Sequence, residues 1–251
     1  MNWVGLSTVI HREVTRILKV ANQALFPPVI SSLLYLAIFH FVIGKARGQS
    51  TEYLAFLVPG LVMMSVVNNA YQNSAFSVFI AKYSRYLEHV LTMPLSYREL
   101  VLGILAGGIV RGGITAGSIL IATAFFVTPQ IHSIGAVLAY FLLACIIFGS
   151  LGIIIALWAE QFDHLGVINT FVLTPLSMLG GVFYSISVLP PTVQFLTLFN
   201  PVFYLVDGFR YGILGSNDAP LWLGALVLGV LAAACFSLTV HLMGRGWHVK
   251  E

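Results

Sequence analysis

Charge is nearly missing from this sequence: Asp, Glu, Lys and Arg together make up 8% of its 251 residues, and mean hydropathy is +0.94. No gap between its apolar stretches approaches the ~100 residues that an aqueous catalytic domain normally occupies, so one membrane domain over residues 1–251 is expected. A GxxxxGK[ST] phosphate loop is also lacking. Nucleotide phosphates therefore have no cradle of the usual kind, and any ATP-driven work falls to another polypeptide. The two cysteines, Cys145 and Cys235, lie inside apolar stretches without a CxxC or Cys/His spacing, and read as small core residues rather than metal or redox groups. The first apolar run starts only near Phe26 and continues to Ile43, too late for a signal peptide, so the N-terminus is expected to stay attached.

What is present is six apolar stretches, assigned to 26–43, 54–80, 101–127, 134–158, 165–189 and 220–243. Each is close to the ~20 residues needed to cross a hydrocarbon core. The expected fold is an all-α polytopic membrane protein with six spans, Pro27 and Pro28 falling in the first turn of the first one. Before it, residues 2–23 are amphipathic. Trp3, Leu6, Ile10, Val14, Ile17 and Ala21 share one face and Arg12, Arg16 and Lys19 the other, as in a helix lying in the interface apolar side down. Placing this N-terminus inside sets eight Lys and Arg against three outside, which predicts cytoplasmic termini. Two connections are long. Residues 81–100 form a polar cytoplasmic segment with room for a short helix ending before Pro94. Residues 190–219 are too apolar for a solvated loop and predict short external helices folded back against protein.

Polar residues inside the spans are the candidate functional groups. The second span holds Ser65, Asn68, Asn69, Gln72, Asn73 and Ser77. Of these, Ser65, Asn69, Gln72 and Asn73 fall on one helical face. They either glue helices together or line a transport path. Arg111 lies about 15 Å into a third span that starts at residue 101. An arginine at a span centre costs at least ~2.5 to 3.5 kcal/mol, so it either snorkels to the headgroups or contacts an anionic cargo. Gly103, Gly107, Gly108, Gly112, Gly113 and Gly117 make three GxxxG pairs that permit close helix approach. Asp207 and Arg210 have the spacing of helical neighbours, suited to local pairing or capping, with an extracellular gate as the alternative. Glu160, Asp163 and His164 read as a solvated turn without a metal-ligand pattern.

The two long connections carry a resemblance. YLEHVLTMPLSYREL, with Glu88, Pro94, Leu95 and Ser96, is similar to the coupling helix and Pro-Leu/Val-Ser turn of the ABC-2 type permeases, the membrane subunits of bacterial ATP-binding-cassette exporters. GGVFYSISVLP followed by NPVFYLVDGFRYGILG resembles their signature, with Gly180, Gly181, Phe183, Pro190, Asn200, Pro201, Tyr204, Asp207 and Arg210 at matching positions. The closest likeness is to the branch that includes nodulation-factor, capsular polysaccharide and drug exporters. The resemblance implies two copies of this chain in the bacterial inner membrane, contacting lipids but no nucleic acid. It also implies two partner ATPase subunits that bind ATP and Mg, leaving this chain without cofactor or catalytic residue. Residues 82–93 would then be a rod gripped by the ATPase. Leu87, Val90 and Leu91 would supply its apolar face, Arg85 and Glu88 its charge, and Tyr83 and Pro94 its ends. Asn200, Pro201, Tyr204, Asp207 and Arg210 would form an external gate.

The competing class is an ion- or proton-coupled secondary transporter, which calls for inverted repeats and midplane ionisable groups. No such repeat is evident, and Arg111 alone is a poor proton relay. An intramembrane enzyme would need convergent acid, base or metal ligands, which the spacing does not offer.

Overall fold

The computed structural model describes residues 2–19, 21–41, 50–87, 95–127 and 131–246, and these form helices joined by short connections, with no strand among them. Helix α1 (Trp3–Lys19) is followed by α2 (Ala21–Phe39), α3 (Ser50–Tyr83), α4 (Tyr97–Thr123) and α5 (Ile134–Trp158). A broken helix then runs through α6 (Phe162–Ile168), a π-turn (Asn169–Leu173), α7 (Thr174–Ser177) and a second π-turn (Met178–Val182). Two short helices, α8 (Pro191–Thr197) and α9 (Pro201–Leu214), precede α10 (Leu221–Gly244).

Among the described residues five helices are long and apolar enough to cross a membrane: Glu52–Tyr83, Tyr97–Thr123, Ile134–Trp158, Phe162–Val182 and Leu221–Gly244. The sixth expected span, 26–43, is a shorter apolar helix, Phe26–Phe39, and its last residues lie outside the described ones. Ile134–Trp158 and Leu221–Gly244 agree with the hydropathy assignment to within one residue. The other spans differ by more, and three of their boundaries have a local cause. Helix α2 starts at Ala21, so Pro27 and Pro28 sit inside it rather than in its first turn. Helix α4 starts four residues before the expected 101 because Ser96 and Glu99 form a reciprocal capping box, a polar signal that hydropathy does not register. The fifth span ends at Val182, not 189, because Gly180 and Gly181 leave helical geometry and Gly181 has φ +75. Within that span Pro175 has no amide hydrogen for its own turn. The helix widens before it, and the Thr174 N–H and hydroxyl both donate to Asn169 O.

Helix α3 is the central post: 67% of its apolar window is buried, against 28% for α10. Leu57, Val62, Val66, Ala70 and Tyr71 are sealed against α4, α5 and α9. Against α5 the contact is backbone to backbone, since a Cβ on Gly152 would lie 2.5 Å from Tyr71 O. Large apolar side chains point outward from the rim, including Ile121, Phe125, Phe171, Trp222 and Val230. So much exposed apolar surface suits lipid rather than water.

The bundle has two chemically different ends. One carries α9 with the starts of α3, α5 and α10. The other carries α1, residues 84–87 and 95–96, and the ends of α3, α5 and α10, with Lys82 Nζ donating to Leu157 O and Ala159 O where α5 stops. Glu160 and Asp163 are exposed beside that stop, as expected of a solvated turn, and no metal-ligand cluster occurs among the described residues. Cys145 and Cys235 are buried free thiols.

Candidate functional site

Three helices meet around a cavity of about 290 Å³, lined by Pro27, Pro28, Ser31, Ser32 and Tyr35 of α2, Leu61, Met64, Ser65, Asn68, Asn69 and Gln72 of α3, and Arg111 of α4. Five of the six residues expected to line a path thus converge there. Asn68 and Asn69 each turn an amide back to the carbonyl four residues earlier, Met64 O at 2.8 Å and Ser65 O at 2.9 Å. This leaves Asn69 Oδ1 free to accept from Arg111 Nε at 2.8 Å. Arg111 stands about 21 Å along α4 from Tyr97 and about 18 Å from Thr123, farther from either end than a side chain reaches. It turns toward the cavity.

Asn73, the sixth residue, departs from the expectation. It belongs to a polar cluster between α1 and α3, where its side-chain oxygen accepts from the Arg16 guanidinium at 3.1 Å. The same guanidinium lies 2.7 Å from Glu13 Oε2, while Glu13 Oε1 accepts from Arg12 at 2.9 Å and from the Ser77 hydroxyl at 2.9 Å. Burial lowers the pKa of Arg16 from its ordinary value, Glu13 opposes that shift and Arg12 adds to it. The expected surface anchor is therefore corrected: Arg16 points into the protein, and the inward face of α1 is Leu6, Val9, Glu13 and Ile17, with Trp3 exposed. The reason is the glycine stripe of α4. A Cβ at Gly103 would lie 2.5 Å from Val9 and one at Gly107 2.9 Å from Glu13, so α1 nests in the groove those glycines leave. Gly117 has nothing within 4 Å, and the stripe does not pack along its whole length.

The rod expected over 82–93 does not start at residue 82, helix resumes at Tyr86 and Leu87, and residues 88–93 lie outside the described residues. Lys82 and Tyr83 finish α3, and a turn at Ser84 and Arg85, with Arg85 at φ +55, breaks the helix before Tyr86. Tyr83 and Arg85 are exposed, whereas Leu87 is buried within this chain and is not presented to a partner. Glu88, Val90, Leu91 and Pro94 lie outside the described residues. Both ends of the segment rest on α1. Arg12 stands over the Tyr86 ring at 5.6 Å, Leu95 fills the space beside Gly5, and the Asn2 N–H donates to Glu99 at 2.6 Å.

At the opposite end, the residues expected to gate an exit form a closed knot. Asn200 caps α9 by accepting from Val202 N and donates to Leu176 O at 2.7 Å, and Pro201 occupies the first turn of α9. Arg210 donates to Gly181 O at 2.7 Å with its guanidinium 3.7 Å over the Phe56 ring. Asp207 does not pair directly with Arg210; its carboxylate accepts from the backbone of Asp218 and Ala219 at 2.7 and 3.0 Å. Tyr204, Asp207 and Arg210 are all at least 94% covered, so they line no opening in the single chain. A Cβ on Gly208 would fall 2.1 Å from the Tyr140 ring, which fixes α9 on α5. The two motif stretches GGVFYSISVLP and NPVFYLVDGFRYGILG thus meet in space: a kinked helix end is tied to a short buried helix by Arg210 and Asn200.

The profile of the ABC-2 type transporter family matches residues 5–214, which takes in α1, the cavity, the coupling segment and this knot. The chain belongs to that family. The permease is 40% identical to the inner membrane transport permease YadH of Escherichia coli strain K12, over 97% of this chain and 96% of that one. It is 27% identical to nodulation protein J of Neorhizobium galegae, over 98% and 94%, and 26% identical to nodulation protein J of Rhizobium meliloti strain 1021, over 97% and 93%.

Glu13 is the residue of this permease that sequence reasoning passed over. A single acid on a helix otherwise read as basic and amphipathic looks like a solvated charge. The available signal was its placement three residues before Arg16, on the same face as Leu6, Val9 and Ile17.

Proposed function

We propose that the permease is the membrane subunit of an ATP-driven exporter. It moves an amphipathic, lipid-linked or hydrophobic cargo outward across the bacterial inner membrane, as a pair of identical chains served by two ATP-binding subunits. Both termini are cytoplasmic, with six crossings per chain; ATP and Mg sit on the partner. Family membership supports a separate ATP-binding partner, and the name of the Escherichia coli relative supports the inner membrane.

One observation carries the mechanism: α1 holds both ends of the coupling segment and, through Glu13, Ser77, Arg16 and Asn73, also holds α3. A push on residues 84–95 is delivered to α3 by a polar clasp within a few ångströms, not through mobile side chains in water. Asn73 sits one turn from Asn69, so the clasp and the cavity share a helix and a displacement of one reaches the other. Tyr83 and Arg85, exposed beside the turn, would meet the partner, and their exposure supports that reading.

The deciding experiment is purification of the tagged permease in mild detergent, mass spectrometry of the proteins that accompany it, and an ATPase assay of the assembly. The expected result is a stoichiometric ATP-binding-cassette subunit whose association is lost on substitutions at Tyr83, Arg85 and Glu88. A stable assembly without any ATPase would overturn the reading in favour of a secondary transporter.

A further inference from the structure

Arg111 brings a full positive charge to the middle of α4, and among the described residues no carboxylate stands within ion-pair distance of it. The ion pairs seen join Glu13 to Arg12 and Arg16, packed against Gly107 one turn before Arg111 on α4. Among the described residues its one hydrogen-bond partner is a neutral amide oxygen on Nε, and the two terminal nitrogens of the guanidinium are left to the cavity it lines. The remaining lining offers Ser31, Ser32, Ser65, Tyr35 and Gln72, none of whose polar side-chain atoms has a hydrogen-bond partner among the described residues. A charged group at membrane depth is stable only with a counter-charge or water, and a guanidinium fork held by its Nε presents two parallel donors to an oxyanion. Every other polar side chain lining the cavity is neutral and carries a donor, and the nearest further charge, Arg16, is also positive.

We propose that this cavity binds the anionic head of an amphipathic cargo, a phosphate, sulfate or carboxylate held by the Arg111 fork while its apolar part lies between α2 and α4 toward the lipid. This deepens the exporter reading and rests on it. A cavity of about 290 Å³ accommodates a head group and not a whole amphiphile, so the specificity falls on charge and the tail is left free to vary. Asn69 is a positioning residue: it fixes the guanidinium plane by Nε and leaves both outer nitrogens to the ligand.

The test measures equilibrium binding of radiolabelled dodecyl phosphate, with dodecyltrimethylammonium as the matched cation, to the permease in nanodiscs of phosphatidylcholine. Saturable binding of the phosphate and none of the cation is expected. Arg111→Gln should weaken it at least tenfold and Arg111→Lys less, because a lysine supplies the charge without the fork. Asn69→Asp, which places a carboxylate on Arg111 without removing it, should abolish binding even if Arg111→Gln does not fold, while Arg245→Gln, at an exposed arginine past the end of α10, should change nothing. Equal binding of the cation, or full affinity in Asn69→Asp, would overturn the proposal. Repeating the titration with half of the lipid replaced by phosphatidylglycerol separates cargo from resident lipid. Retained affinity is expected, and loss of binding in proportion to the acidic lipid would assign the cavity to a structural phospholipid and overturn the cargo assignment. Binding needs no ATPase, so its failure leaves the exporter reading standing, and the absence of an ATPase partner leaves the binding result standing.

Discussion

Arg210 and Arg111 are arginines of the same helix bundle, and the fold treats them in opposite ways. Arg210 is 2% exposed, donates to the carbonyl at the Gly181 kink and stands over the Phe56 ring, so its charge faces only groups of the chain itself. Arg111 is half-buried, touches one amide and opens onto a cavity. Burial of a cation says little about its role. Each makes one side-chain hydrogen bond among the described residues, and Arg210 Nε has no partner there; what separates the two is closure, since Arg210 is sealed inside the chain over Phe56 while Arg111 opens onto a cavity.

That comparison can be broken by substitution. Arg210→Met should have the largest effect, about 3–5 kcal/mol of stability, because it strands a buried carbonyl, removes the cation over Phe56 and uncouples α9 from the kinked helix. Thermal unfolding in detergent should show a sharply lowered midpoint, and a midpoint unchanged from wild type would make Arg210 as dispensable as Arg111. Next comes Gly208→Ala, which drives a Cβ into the Tyr140 ring; about 1–3 kcal/mol should be lost, with partial recovery in Gly208→Ala combined with Tyr140→Leu. Full stability in the single variant would show that α9 is free to shift. Glu13→Gln should remove about 1–3 kcal/mol by leaving two guanidinium groups without their carboxylate. It should also lower cargo-linked ATP turnover more than it lowers the unfolding midpoint; equal effects would reduce the clasp to simple packing. The smallest change belongs to Arg111→Met. Stability should stay within about 1 kcal/mol or rise, since an uncompensated cation is replaced by an apolar chain of similar length. A loss as large as that of Arg210→Met would make both arginines anchors and erase the difference.

The sequence and the structure agree best where one physical term dominates. Ile134–Trp158 is recovered by apolar length alone because that stretch contains no charge and no proline. Agreement fails where polar chemistry competes with hydropathy: the capping box that starts α4 early, the Gly180–Gly181 break that ends the fifth span early, and the turn at Ser84 and Arg85 that divides the expected rod. The candidate site was legible in part. Helical spacing placed Ser65, Asn69 and Gln72 together, but it placed Asn73 with them too. A difference of one residue swings a side chain by about 100° around a helix, enough to face a different neighbour.

Composition and pattern by themselves determined the class: too little charge for water, apolar runs of membrane length, and two motifs shared with the ABC-2 type permeases. They fixed that Arg111 would be expensive and that glycines would let helices touch. Which helices touch was decided only by the tertiary structure. It set α1 into the α4 groove, gave Glu13 to Arg16, closed the chain around Arg210 and left Arg111 facing a cavity. Local patterning reports the desolvation of a residue, because that depends on its own neighbours in sequence. Its compensation comes from groups such as Asn69, Asn73 and Gly181, which lie tens of residues away along the chain and meet it only when the bundle packs.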